Sequence, residues 1–426
     1  MFDDVLVVDP DSGESALIAQ ITALERLKSA AAAAQARAAA AFAATRRAAE
    51  IAAGTPRRRR GRGVAAEIAL ARYDSPARGS RHLGFGQALV SEMPHTLAAL
   101  ERGDLSEWRA TLIVRESACL DVEDRRALDA ELCADRSRLE GLGDRRIAAE
   151  AKAIAYRLDP HAVVDRAART ANERCVTVRP APDCMTYLTA LLPVAQGVSV
   201  YAALSRAADQ CGDGRGRGQV MADTLVERVT GRSAAVATPV AVNLVLSDET
   251  MVGGSTTPAT VTGYGPIPAG VARRLIGAAA TDPQSRATLR RLYRHPRSGT
   301  LVAMESRSRI FPTGLAQFIA LRDGTCRTPY CDAPIRHTDH TTPAARGGPT
   351  TAANGAGSCE ACNYTKEADG WEVTTHTDES GSHTAVFSTP TGGRHHSTAP
   401  PIAGPPRFDT SEIEIAVGVS LARHAA

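Results

Sequence analysis

Two pairs of cysteines, Cys326 with Cys331 and Cys359 with Cys362, bracket an Asp339–His340 pair and are followed at once by Asn363. Thiolates are soft donors, and four of them close a tetrahedral shell around zinc without leaving an open position. Cys359-Glu-Ala-Cys362 has the spacing of a zinc knuckle, and Cys326 and Cys331 form a longer one turned by Pro329. A structural zinc on Cys326, Cys331, Cys359 and Cys362 is therefore expected. A zinc ribbon without activity is the simplest reading of the cysteines alone. Zinc does not need the carboxylate, imidazole and amides around them. Such groups bind hard cations and accept protons, so they point to a second, hydrolytic metal centre.

Three local elements would have to position these groups. Ile335–Thr338 reads as a short strand, and adjacent strand residues point to opposite faces. Asp339 and His340 therefore need a bend before both can serve one site. Gly347-Gly348-Pro-Thr350 opens a loop in which Asn354 could pin the backbone around the imidazole. A helix predicted over Glu360–Ala368 carries Asn363 and Lys366.

The stretch from Arg322 to Trp371, with these motifs, resembles an HNH nuclease, a ββα-metal or His-Me finger endonuclease with zinc knuckles. The resemblance implies a small ββα-metal domain that hydrolyses phosphodiester bonds in DNA. It implies His340 as the general base and Asn354 as the middle asparagine that orients it. Asp339 corresponds to the metal-binding residue beside the base. Asn363 stands where the last histidine of the motif usually sits, which gives an Asp/Asn ligand pair. Oxygen ligands favour a hard cation, so Mg2+ or Mn2+ is the expected catalytic ion beside the structural zinc. A neutral imidazole can accept the proton of the attacking water, and an ordinary imidazole pKa near ~6.5 permits that at neutral pH. His337 either reaches a phosphate or the metal, or is an exposed strand residue with no role.

Charge limits how such a domain could hold DNA. From Ser306 to Ala385 there are seven Arg/Lys against nine Asp/Glu, so the module itself is not basic. Lys366, Arg336 and Arg346 are its candidates for phosphate contact. Just upstream, residues 273–309 hold nine arginines, Arg290, Arg291 and Arg294 among them, against Asp282 and Glu305. The run Arg57–Arg62 offers a second basic patch. The expected partner is double-stranded DNA, with no membrane and no small-molecule cofactor.

The remainder of the 426 residues would build two further domains. From Ser15 to Ala53 the chain is almost continuous helix former, and helical apolar spacing continues to Arg157. Asp104 and Asp121 are candidate N-caps. After about residue 160, β-branched alternation at Cys175–Val178, Met185–Leu192, Val240–Leu246, Leu301–Met304 and Arg309–Phe311 mixes with helical stretches. We therefore expect a mainly α N-terminal domain (1–160), an α+β middle domain (161–305) and the HNH domain (306–385). A Pro-, Gly-, Ser- and Thr-rich tail (386–426) is expected to be disordered. Gly214–Gly218 lacks the preceding strand and Lys-Ser/Thr ending of a phosphate loop and reads as a turn. Cys119, Cys133, Cys175, Cys184 and Cys211 read as buried small hydrophobes.

Joined to this nuclease, segments such as Arg81–Phe85, Met93–Leu97 and Trp108–Leu112 resemble a large actinobacterial family. Its members pair a domain of unknown function with a C-terminal HNH module, and some sit in repeated genomic elements. That domain carries no nucleophile–base constellation; Glu67, Arg72, Glu92 and His95 are spaced as helix faces and loops. The first residues lack a signal peptide's basic and apolar regions, and no run approaches a membrane span of ~18 apolar residues. Cytoplasmic localisation is expected. Two other readings fit the same chain. One is a non-catalytic DNA-binding or regulatory protein with a degenerate HNH fold, the other a helical protein-interaction scaffold.

Overall fold

The computed structural model describes residues 7–8, 12–234, 244–247, 250–251, 255–262, 264–281, 292–294, 301–304, 311–343, 346–348, 350–378 and 381–402. The chain divides into two compact units, one of Met1–Thr170 with Tyr364–Trp371, the other of Ala171–Asn363 with Glu372–Ala426. The N-terminal half is helical, and small antiparallel sheets follow in the C-terminal region. No described helix is long and apolar enough to cross a membrane.

In the first unit the alanine-rich run forms α1, Glu14–Ala52, a helix of 39 residues that buries Ala32, Ala33, Ala36 and Ala39. Alanine is the strongest helix former, and its small side chain lets neighbouring helices come close. Seven more helices follow: α2 (Val64–Ala71), α3 (Pro76–Ser91), α4 (Pro94–Arg102), α5 (Glu107–Ser117), α6 (Val122–Cys133), α7 (Asp144–Leu158) and α8 (Pro160–Thr170). Leu89, Leu100, Ile113, Leu128 and Ile147 centre the core they share.

The helical spacing is broken at Pro94, which has no N–H to donate and opens a new helix rather than continuing α3. The buried Asp129 caps that new N-terminus from another helix, accepting from the backbone N–H of His95 (2.7 Å) and Thr96 (2.8 Å). Asp121 caps α6, accepting from Asp124 N at 2.9 Å. At α5 the cap is Ser106 rather than Asp104, whose carboxylate instead pairs with Arg102 and Arg136. The scattered polar residues are tied up in ion pairs, Glu67 with Arg46, Arg72 with Glu107 and Glu92 with Arg125. Residues 364–371 belong to this unit, where Ala368 and Trp371 pack on Ala66 and Leu70.

The second unit begins with a hairpin of β1 (Cys175–Ala181) and β2 (Met185–Leu191), exposed along nearly its whole length. Cys175 lies on it and is exposed, against the expectation of burial; Cys133 is buried as expected. Helices α9 (Val194–Gln210) and α10 (Arg217–Thr230) follow; Gly214–Gly216 leads into α10, and Gly218 lies in its first turn. A three-stranded antiparallel sheet comprises β3 (Leu244–Val245), β4 (Ala259–Val261) and β5 (Gly265–Ile267), followed by α11 (Ala269–Thr281). Of the strand expected at Val240–Leu246, residues 240–243 lie outside the described residues. Strands β6 (Leu292–Arg294) and β7 (Leu301–Met304) pair next. Phe311 was expected in a strand but opens α12 (Phe311–Asp323), with Pro312 in a first turn where a missing N–H is tolerated.

The last elements are the ones that matter for the site. Strands β8 (His337–His340) and β9 (Gly355–Ser358) form an antiparallel pair, and α13 (Glu360–Thr365) follows directly. A second antiparallel sheet, in the order β10 (Glu372–Thr377), β11 (His383–Ser388), β12 (Arg394–Thr398), runs through the start of the expected disordered tail. Residues 386–402 are thus ordered. Their Pro, Gly and Thr residues supply turns, while Phe387 packs with Val373 and Ala385 in a small core. Residues 403–426 lie outside the described residues.

Candidate metal centre

The four cysteine sulfurs come together from three elements. Cys326 and Cys331 lie on the loop after α12, Cys359 follows β9, and Cys362 lies on α13. All four are buried, and their Sγ atoms lie within 4.8 Å of one another. Cys331 Sγ stands 3.8 Å from Cys359 Sγ and 3.6 Å from Cys362 Sγ. Zinc–sulfur bonds of about 2.3 Å in a tetrahedron place sulfurs about 3.8 Å apart, so this cluster has the size of a zinc shell.

Backbone groups support it. Cys326 N donates to Ala333 O at 2.9 Å, and Cys362 N donates to Cys359 Sγ at 3.5 Å. Thiols this close cannot all ionise alone. Cys326 is held far below the ordinary thiol range by hydrogen bonds from Cys331 and Cys362, and those two are pushed above it by the same contacts. A divalent cation removes that conflict by binding every sulfur as thiolate. Four close cysteines that can hold a zinc ion are the firmest feature of the site.

Next to the cluster, register places Asp339 opposite Ala356 and His340 opposite Gly355. No backbone bend is needed to bring the two side chains together. The Asp339 carboxylate turns forward, accepts from His340 N at 2.8 Å, and lies 3.7 Å from His340 Nδ1. On the other edge of the ring, Nε2 meets Thr350 Oγ1 at 2.8 Å. Nothing in the sequence marks Thr350 beyond its place in the Gly347–Thr350 loop.

Asn354 bonds to the segment that follows the imidazole. Its Oδ1 accepts from Thr341 Oγ1 (2.8 Å) and Thr342 N (2.9 Å), and its Nδ2 donates to Thr342 O (3.0 Å). The clamp holds the two residues directly after His340. Gly348 completes it, since a Cβ there would stand 1.8 Å from Thr342 O and 2.8 Å from Asn354 Nδ2. Asn354 is buried, so Asn354→Ala leaves the Thr342 groups without partners. We expect a loss of about 1–3 kcal/mol, read by urea unfolding, with zinc content unchanged. A loss below about 0.5 kcal/mol, the range of an ordinary surface substitution, would mean that the clamp holds nothing.

Asn363 lies on α13, and its Oδ1 is buried with no hydrogen-bond partner among the described residues. An amide oxygen in that state is an acceptor awaiting a donor or a cation. Arg336, His337 and Arg346 are exposed. Lys366 is largely buried in the first unit, with Nζ 3.6 Å from the Glu367 carboxylate. Arg290 and Arg291 lie outside the described residues, and Arg294 is on β6.

A buried charge network absent from the sequence reading braces the module. Asp323 accepts from Arg322 Nε (2.7 Å), Arg327 Nη1 (3.2 Å) and Gly357 N (2.7 Å). Arg322 also donates to Gly355 O at 2.7 Å, and Arg327 donates to His383 O at 3.1 Å. His383 Nε2 donates in turn to Ala353 O at 2.9 Å; burial and the nearby Arg322 hold this imidazole down to about 4, so it is neutral at pH 7.

Comparison with known proteins assigns most of the chain to a family, but the matched residues stop short of this centre. A family model described as a domain of unknown function (DUF222) matches residues 21–323. The match therefore ends at Asp323, the last residue of α12, three residues before Cys326. No curated protein and no solved structure matches. With the match spanning well over half of its residues, the chain belongs to the DUF222 family.

Proposed function

We propose that this chain is a metal-dependent endonuclease of the HNH, ββα-metal type that hydrolyses phosphodiester bonds in DNA. The reading rests first on one observation. Asp339 and His340 lie side by side, 3.7 Å apart, at the end of the first strand of a strand–strand–helix unit. The Asn354 clamp and the unpartnered Asn363 Oδ1 support it.

The side chains divide the work. With Nε2–H donating to Thr350 Oγ1, Nδ1 is the nitrogen left to take the proton of the attacking water. Asn354 fixes the turn behind the imidazole and thereby its aim. Asp339 and Asn363 would hold Mg2+ or Mn2+, which when bound offsets the charge of the phosphate and of the departing oxygen. The zinc on the four cysteines would take no part in the chemistry. It would fix α13, and with it Asn363, against β9.

Supercoiled plasmid incubated with Mg2+ or Mn2+ tests the reading. Wild-type protein should nick or cut it, and His340→Ala should lower the rate by about 10²–10⁴, the usual worth of a general base. If no divalent ion supports cleavage of DNA or RNA, or if His340→Ala cuts as fast as wild type, the reading fails.

A further inference from the structure

Between α1 and α2 the chain passes through Gly54-Thr-Pro-Arg57-Arg58-Arg59-Arg60-Gly-Arg62-Gly63. The structure separates these five arginines into two kinds. Arg60 is half-buried and donates from Nε to Thr55 O at 2.8 Å, so it shapes the turn. Arg57, Arg58, Arg59 and Arg62 are exposed, and their guanidinium groups have no hydrogen bond or ion pair among the described residues. Elsewhere in the same unit arginines are commonly paired, as Arg46, Arg72, Arg125 and Arg157 are.

The base of the turn is anchored. Gly61 N donates to Glu50 Oε2 at 2.7 Å, and Gly61 and Gly63 take φ of 74° and 83°, which glycine adopts without strain. A Cβ on Gly63 would stand 2.3 Å from Nε1 of Trp371, itself buried against Ala66 and Leu70. Four like charges thus lie close together on an anchored turn, and the Glu50 carboxylate at its base forms no ion pair with any of them among the described residues. Such an arrangement carries a repulsive cost that a polyanion removes.

We propose that Arg57, Arg58, Arg59 and Arg62 form a phosphate clamp that binds the backbone of nucleic acid without reading its sequence. The choice of nucleic acid among polyanions rests on the nuclease reading above. Two further observations favour it. A guanidinium fork matches two oxygens of one phosphate. The turn from Gly54 to Gly63 also offers no aromatic or large aliphatic side chain that could enter a lipid surface. The clamp answers a need as well, since the cysteine module is slightly acidic. In the upstream arginine-rich segment, Arg273 spends its guanidinium on Thr250 O (3.1 Å) and Ser255 O (3.2 Å).

The test uses full-length, zinc-loaded protein and a short fluorescent duplex, with anisotropy measured across a salt titration and no added divalent ion. The quadruple variant R57Q/R58Q/R59Q/R62Q should lose at least about tenfold in affinity at moderate salt. Its slope of log K against log salt should fall by roughly 3–4, at about 0.9 per phosphate contact. Arg145 and Arg146, exposed in the same unit, control for general charge, and R145Q/R146Q should change both quantities far less. The proposal is overturned if wild type does not bind duplex, or if the quadruple variant keeps wild-type affinity and slope. It is also overturned if the loss per arginine equals that of the control, or if wild type prefers vesicles rich in phosphatidylserine to duplex. Plasmid cleavage is scored separately. Binding through the turn without cleavage leaves the clamp and removes the nuclease; cleavage with no effect of the quadruple variant does the reverse.

Discussion

Replacing Cys362 with Ser, or stripping the protein with a strong zinc chelator, is expected to unfold the cysteine module while the helical unit stays folded. The four sulfurs come from the loop after α12, the residue after β9, and α13, so one ion ties three short elements together. None of those elements is stable alone. Strands β8 and β9 have four residues each, α13 has six, and the cysteines form a buried cluster of their own. Isolated hairpins and helices of this length are marginal in water. Structural zinc sites bind with about 10–16 kcal/mol of apparent free energy, and where no site exists before folding that energy is folding energy. The helical unit depends on the module only through the small contact of Ala368 and Trp371 with Ala66 and Leu70, because its main core from Ala32 to Ala155 contains no residue of the module. Calorimetry should therefore show the module's transition lost or strongly lowered and the helical transition near its original temperature. Zinc content should fall from one ion per chain. Retention of a full zinc equivalent by Cys362→Ser, with an unchanged unfolding profile, would sink the assignment.

Part of this arrangement was legible in the sequence because it depends on short-range rules. Two knuckles at zinc spacing, the helix carrying Asn363 and the loop carrying Asn354 can all be read within a few residues of each other. The helical first unit is legible for the same reason, since alanine content and apolar spacing act locally. Where the reading went astray, a distant or competing interaction decided. Asp104 is a good cap residue, but Arg102 and Arg136 claim its carboxylate and Ser106 takes the cap. Residues 386–398 look like a tail by composition, yet Phe387 and Ala385 close a core with Val373. Asp339 and His340 seemed to need a bend, yet their side chains meet on one continuous strand, where the Asp339 carboxylate accepts from His340 N. Asp323 lies only three residues before Cys326, but nothing in its neighbourhood announces that it meets Gly357 N, 34 positions away.

Asp323→Ala is accordingly expected to destabilise the module by about 3–5 kcal/mol, the usual cost of stranding a buried charge. Arg322 and Arg327 are only 3% and 2% exposed, and Asp323 is the carboxylate both of them meet. Burial already pushes the Arg327 guanidinium below its ordinary range, and Asp323 is the leading influence opposing that push. Without it the protein must bury two cations, admit water or move the side chains out. Gly357 N also loses its acceptor, on the strand that leads into Cys359. A domain has about 5–15 kcal/mol in all, so a loss of this size threatens the module's fold and its hold on zinc. Asp323→Asn should fall between wild type and Asp323→Ala, because an amide still accepts one hydrogen bond but supplies no charge. The decisive comparison is Asp323→Ala/Arg327→Met, which removes one of the stranded cations together with the anion. It should be more stable than Asp323→Ala alone, since groups in one network do not contribute additively. If Asp323→Ala unfolds within about 1 kcal/mol of wild type, or if removing Arg327 as well adds its full separate cost, charge compensation does not hold the network together.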